Sequence, residues 1–107
     1  MDKHRWEAFA PTLWAYVALL EALLDGRVTA PEFEVIFLSM YKHDPTAWHP
    51  GVFNALECVF GAVDEYCEDA ELRSRVNGLS EADLTTEVQR ALASLHELRE
   101  EEDRFAM

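Results

Sequence analysis

The sequence predicts an all-α protein, and more closely an antiparallel four-helix bundle. Two observations predict it: four long segments carry apolar residues at helical spacing, and no segment alternates apolar and polar residues as a half-buried strand does. The connections between the segments are short, which favours antiparallel packing of consecutive helices. A length of 107 residues predicts a single domain over residues 1–107, and because half of the residues are hydrophobic, we expect this domain to be folded.

The first two helices are delimited by capping residues. We expect the first helix over residues 3–25, with Gly26 as its C-terminal cap. Thr29 then starts the second helix, because Pro31 suits a first turn and Glu32 completes a capping box. The two apolar stripes predict the buried faces of these helices. They consist of Leu13, Val17, Leu20 and Leu24 in the first helix, and Phe33, Ile36, Phe37 and Met40 in the second.

The second half of the chain predicts two more long helices with a short extra helical turn between them. We expect the third helix over residues 50–67, a short turn from the cap Asp69 to Val76, and a last helix capped by Ser80. Trp6 and Trp48 lie near helix ends, where packing over the end of the bundle is favoured over a role in binding. The two long stripes consist of Val52, Leu56, Val59, Phe60 and Val63, and of Leu84, Val88, Ala91, Leu92, Leu95 and Leu98.

The charge of the chain limits its partners. The formal net charge is −12, which repels nucleic acid and anionic membranes and attracts basic surfaces. On one helix Cys58 and Cys67 would lie about 13 Å apart, too far for a disulfide. Free thiols are typical of a reducing compartment. We therefore expect a cytoplasmic protein with no direct contact to nucleic acid or membrane.

The sequence contains no recognisable catalytic or cofactor motif. It lacks the glycine patterns that bind phosphates or dinucleotides and the histidine patterns of zinc enzymes. His43, Asp44 and His49 fall in one loop, but without a further ligand nearby we interpret them as solvated side chains and not as a metal site. We predict no enzyme activity, no metal and no cofactor.

The third helix carries the most informative surface pattern. At 100° per residue, Glu57, Gly61, Asp64 and Glu68 fall within about 60° of one another, opposite the apolar stripe. A solvated helix face would show the same pattern, but an unbroken negative patch repels itself, and a cationic partner would relieve that repulsion. Other members of the candidate site are the carboxylates Glu65, Asp69 and Glu71 and the aromatic anchors Tyr66 and Phe53.

Four segments resemble a known family. They are LLDGRVTAPEF at residues 23–33, FLSMYKHD at residues 37–44, FGAVDEY at residues 60–66 and DAELR at residues 69–73. Together with the last helix they look like the colicin D immunity protein family, also called bacterial self-protective colicin-like immunity proteins. The resemblance covers about residues 20–95.

The resemblance implies a small helical bundle that neutralises a toxin made by the same cell. It implies a nuclease that cleaves transfer RNA as the partner, and an acidic surface that covers its basic cleft as an RNA mimic. By similarity, the acidic residues that inhibit the toxin are Glu57, Asp64, Glu65, Glu68, Asp69 and Glu71. We expect a monomer. The alternative is a helical adaptor that docks a basic or amphipathic segment in an exposed apolar groove.

Overall fold

The chain folds into five helices in the part that the structure describes. This computed structural model describes the backbone of residues 4–44, 48 and 50–105, and the side chains of residues 12–44, 48 and 50–99. The helices are α1 (His4–Leu24), α2 (Ala30–Lys42), α3 (Pro50–Glu65), α4 (Ala70–Val76) and α5 (Glu81–Phe105). The described residues form no strand, only an isolated bridge between Tyr66 and Leu79. The all-α prediction is confirmed.

The helices begin where the sequence places their caps. In α2 the Thr29 side chain accepts a hydrogen bond from the Glu32 backbone N–H at 3.2 Å, and the Glu32 carboxylate accepts one from the Thr29 N–H at 2.8 Å. Ser80 and Asp83 make the same reciprocal pair at the start of α5. Such caps satisfy backbone donors that have no partner within the helix. Gly26, after α1, has a φ of 77°, which glycine adopts without a steric penalty.

The four long helices contact one another in a ring. Among the described residues, α1 packs on α2, α2 on α3, α3 on α5, and α5 back on α1. The helices α2 and α3 run in opposite directions. Tyr41, near the end of α2, hydrogen-bonds Glu57 in α3, whereas Glu34, near the start of α2, lies close enough to Tyr66, just after α3, to influence its pKa. The fully antiparallel order of all four helices stays a prediction.

The core contains most residues of the four predicted stripes together with several that the stripes did not include. The added buried residues are Tyr16, Leu19, Leu23, Ala30, Ala55 and Ala62. Five stripe residues are only partly buried, namely Leu24, Met40, Phe60, Leu92 and Leu98. Ile36 lies at the edge of its stripe and is 40% exposed, so its predicted burial is wrong. Tyr16, which lies outside the predicted stripe of α1, is the largest of the fully buried side chains. Its hydroxyl donates to Asp44 at 2.8 Å, which satisfies the polar atom that burial removes from water.

Trp48 packs over the end of the core, as predicted. Its ring lies edge-on to Tyr16 with the centroids 6.1 Å apart, and its Nε1 donates to Asp44 at 3.0 Å. Trp6 and His49 lie outside the side chains that the structure describes. The tryptophan therefore closes the core beside the loop between α2 and α3.

The third helix is shorter than predicted. It ends at Glu65, and Cys67 lies beyond it. The backbone turns away because the Glu65 carbonyl accepts from the Leu79 N–H at 2.8 Å, and the Leu79 carbonyl accepts from the Cys67 N–H at 3.0 Å. Both cysteines are free thiols, but placing them on one helix was wrong, since only Cys58 is helical.

Candidate functional site

The outward face of α3 carries the first part of the predicted acidic surface. Glu57, Gly61 and Asp64 are exposed, and Glu65 is exposed beside them. The buried residues of the helix lie on the opposite side, as the helical spacing predicts. Glu57 accepts a hydrogen bond from the Tyr41 hydroxyl, which ties this carboxylate to α2. The acidic face is therefore directed away from the core.

The second part of the surface follows α3 and does not continue it. Because α3 ends at Glu65, the prediction that Glu68 lies on the same helical ridge is wrong. Glu68 and Asp69 instead occupy the connection to α4, and both are exposed. The acidic surface is thus a helix face followed by a loop and a short helix.

The carboxylates of this surface differ in how they are bonded. Asp69 caps α4, its carboxylate accepting from the Leu72 N–H at 3.0 Å. Glu71 pairs with Arg75 at 2.8 Å. Among the side chains that the structure describes, Asp64, Glu65 and Glu68 have no ion pair and no hydrogen bond. These three carboxylates are the ones available to a partner.

The charges of three carboxylates act on Tyr66. Burial raises its pKa, and the negative charges of Glu68, Glu81 and Glu34 raise it further, with Arg73 acting in the opposite direction. Glu34 and Glu81 were missed because they come from α2 and α5, and their approach to Tyr66 depends on long-range packing. Glu34 could have been predicted from antiparallel packing of α2 and α3, because that packing places the start of α2 beside the end of α3.

A cavity opens beside Tyr66. It has a volume of about 510 Å³ and lies between the turn that joins α1 to α2 and the segment that follows α3. Glu68, Arg73 and Glu81 line it together with Tyr66. Arg73 is held at its wall, because its Nη1 donates to the Cys67 carbonyl at 3.0 Å. The cavity offers an aromatic wall and two carboxylates to an incoming side chain.

The two predicted aromatic anchors lie at opposite ends of the α3 face. Phe53 is 46% exposed near the start of the helix, whereas Tyr66 is partly buried against the core just after its end. From Phe53 to the end of α3 at Glu65 the helix rises about 18 Å, and Tyr66 follows directly. The anchors therefore bracket the face that carries Glu57 and Asp64.

The structure gives limited support to the alternative function, a helical adaptor with an apolar groove. A groove of about 500 Å³ runs between α3 and α5. Its wall mixes charged with small or apolar residues, namely Glu87, Arg90, Glu97, Ala55, Ala91 and Leu98. An amphipathic helix binds a continuous apolar groove, and these charged residues interrupt the groove.

The loop with His43 and Asp44 was considered as a metal site from sequence. Both side chains are instead bonded within the protein. The Asp44 carboxylate accepts from Tyr16 and Trp48, and the His43 ring lies 2.8 Å from the Ser39 carbonyl through its Nδ1. His49 lies outside the described residues. Among the residues that are described, no group of three potential metal ligands comes together.

Comparison with known protein families identifies the class of protein. The model of the bacterial self-protective colicin-like immunity family matches residues 12–95, and the chain belongs to this family. Members are immunity proteins, which are typically not enzymes, and membership indicates a cognate toxin as partner. The comparisons with curated proteins and with solved structures give no match. No described helix is long and apolar enough to cross a membrane.

Proposed function

We propose that this immunity protein neutralises a toxin nuclease, of the type that cleaves transfer RNA, by covering its basic cleft. The observation that carries the proposal is the set of three exposed carboxylates, Asp64, Glu65 and Glu68, that have no partner among the described residues. A nuclease cleft is basic because it binds phosphates. Carboxylates at comparable positions would pair with the same Lys and Arg side chains, so the protein would bind in place of the RNA.

The net charge supports rapid capture of such a toxin. A chain with a formal charge of −12 attracts a basic partner over a distance of about 8 Å at physiological ionic strength. Such steering raises association rates by roughly 10- to 1000-fold. Rapid capture suits a protein that must bind the toxin before it reaches its substrate, and we place both in the cytoplasm.

Charge pairs alone give limited affinity, so the proposed interface also needs apolar anchors. Phe53 and Tyr66 supply aromatic surface at the two ends of the acidic face. Glu68 and Glu81 line the cavity beside Tyr66 together with Arg73, and its two carboxylates outnumber the single cation, so a toxin Lys or Arg could bind there.

The direct test is protection of cells and of RNA. The toxin domain encoded beside this chain's gene is expressed with and without the chain, and survival is scored. In a second assay the purified toxin domain is incubated with transfer RNA, and cleavage is followed with increasing amounts of the chain. We expect survival and stoichiometric inhibition of cleavage. A toxin that leaves transfer RNA intact would refute the nuclease assignment, and cell death despite the chain would refute the pairing.

A further inference from the structure

The short helix α4 presents apolar residues to solvent. None of its seven residues, all of which the structure describes, is buried. Leu72 is 49% exposed and Val76 is 60% exposed. Four residues apart on a helix, they lie on the same face, and neither belongs to the apolar residues packed against the core.

Local bonds, and not core packing, hold α4 in place. Asp69 caps its first turn, and Asn77 ends it in the left-handed conformation with a φ of 57°. Arg73 anchors it to the Cys67 carbonyl at 3.0 Å, and the Gly78 N–H donates to the Arg73 carbonyl at 3.0 Å. Helices shorter than about 12 residues are unstable alone in water. These bonds therefore keep α4 in place, although its apolar face contributes nothing to the core.

Gly78 fixes the position of α4 relative to α3. A Cβ atom at this residue would lie 2.9 Å from the Glu65 carbonyl oxygen and 3.2 Å from the Cys67 Cβ. Both distances are shorter than ordinary contacts, so only glycine allows the chain after α4 to approach the end of α3. The exposed face of α4 is consequently held next to the acidic surface.

The charges around this face indicate what covers it. Residues 64–81 contain six carboxylates and two arginines. Arg75 is paired with Glu71 and Arg73 is bonded to the Cys67 carbonyl. The six carboxylates and two arginines give this segment a net charge of −4, so a partner seated on Leu72 and Val76 meets a border that is predominantly negative although Arg73 and Arg75 belong to it. A second copy of this chain would bring the same negative charge, which opposes self-association here.

We propose that Leu72 and Val76 are the apolar anchor of the toxin interface. They fit an apolar recess in the toxin surface that is bordered by Lys and Arg side chains. The inference rests on the proposed function and adds to it a contact that the acidic face does not supply. An apolar centre within a charged border is the arrangement typical of tight interfaces.

The test compares two matched double variants. L72S with V76S removes the α4 anchor. V35S with I36S removes two apolar residues of α2 that are 67% and 40% exposed, which is a similar loss of apolar surface elsewhere. The probe is the purified toxin domain encoded beside this chain's gene, with its active site inactivated, and binding kinetics are measured together with thermal melting. The native chain is measured first.

We expect the α4 variant to bind at least about 30-fold more weakly, the loss that marks an interface hot spot. The loss should come from faster dissociation and persist at high salt, since an apolar contact is not screened. The α2 variant should bind like the native chain, and both should melt like it. If the α4 variant binds like the native chain while that chain protects, the anchor is refuted and the proposed function stands.

Two other results would also overturn the inference. If the native chain does not bind the toxin, both the anchor and the proposed function are wrong. If sedimentation shows that the native chain is a dimer and L72S with V76S is a monomer, the occupant of the α4 face is a second copy of the chain.

Discussion

At the scale of single residues, Tyr16 shows how a polar atom is accommodated in the core. Its ring is only 1% exposed, and its hydroxyl bonds Asp44. We expect Tyr16→Phe to lower the free energy of unfolding by about 1–3 kcal/mol, because a partly buried bond to a charged acceptor is lost. Tyr41→Phe is the control, since its bond to Glu57 is exposed and water can replace it. Urea denaturation measures the free energy of unfolding of both variants, and an equal decrease in the two would contradict this explanation.

The same tyrosine predicts the response to alkali. Burial and the bond to Asp44 raise the pKa of Tyr16 above its ordinary value of 10.0. A group whose pKa is raised by folding contributes stability that is complete below its unfolded pKa and lost as the pH rises through its folded pKa. We expect the melting temperature to fall above about pH 10, and to fall less steeply in Tyr16→Phe. If the melting temperatures of the native protein and of Tyr16→Phe fell equally with rising pH, this role of Tyr16 would be refuted. Because the pKa of Tyr41 is raised too, part of the alkaline loss should remain.

At the scale of elements, the capped helices α2 and α4 should respond differently to loss of their caps. Thr29→Ala should lower the free energy of unfolding of the whole domain by about 1 kcal/mol, because α2 buries Phe33 and Phe37 in the core. Asp69→Ala should leave global unfolding nearly unchanged and release α4 alone, because α4 buries nothing. Hydrogen exchange of the amides in α4 measures the local effect. A global destabilisation by Asp69→Ala equal to that of Thr29→Ala would show that α4 is part of the cooperative core.

The elements also show how much the sequence could predict. The starts of α2, α4 and α5 were predictable because a cap is formed by residues three positions apart. The end of α3 was not, since it depends on bonds between Glu65, Cys67 and Leu79 across a long sequence separation. The same difference between local and long-range contacts determines how much of the candidate site could be predicted. Its carboxylates were found from their spacing, while the position of Glu68 and the approach of Glu34 and Glu81 to Tyr66 depend on tertiary packing.

At the scale of the whole molecule, the protein has an uncharged core and a negative surface. No charged side chain is buried among the described residues, so the charges that those residues contribute to the formal net charge of −12 lie where solvent and partners can reach them. We expect association with the toxin to slow markedly as salt is raised, while dissociation changes little, because screening acts mainly on the encounter. Stopped-flow measurement at low and high salt tests this. An association rate that is independent of salt would rule out electrostatic steering.

We propose that a particular acidic surface, and not the overall charge, binds the toxin. The most direct test is the dissociation constant of Asp64→Lys with Glu68→Lys, compared with Glu21→Lys and Glu97→Lys on α1 and α5. Both double variants change the net charge equally, and all four residues are exposed, so folding should be affected by less than about 0.5 kcal/mol per substitution.

We expect the first variant to bind about 1000-fold more weakly, because each lost and reversed pair costs at least about 2 kcal/mol and each 1.4 kcal/mol is tenfold. The second variant should lose far less. Equal weakening of the two variants would show that only bulk charge matters, and native affinity in the first variant would place the binding surface elsewhere.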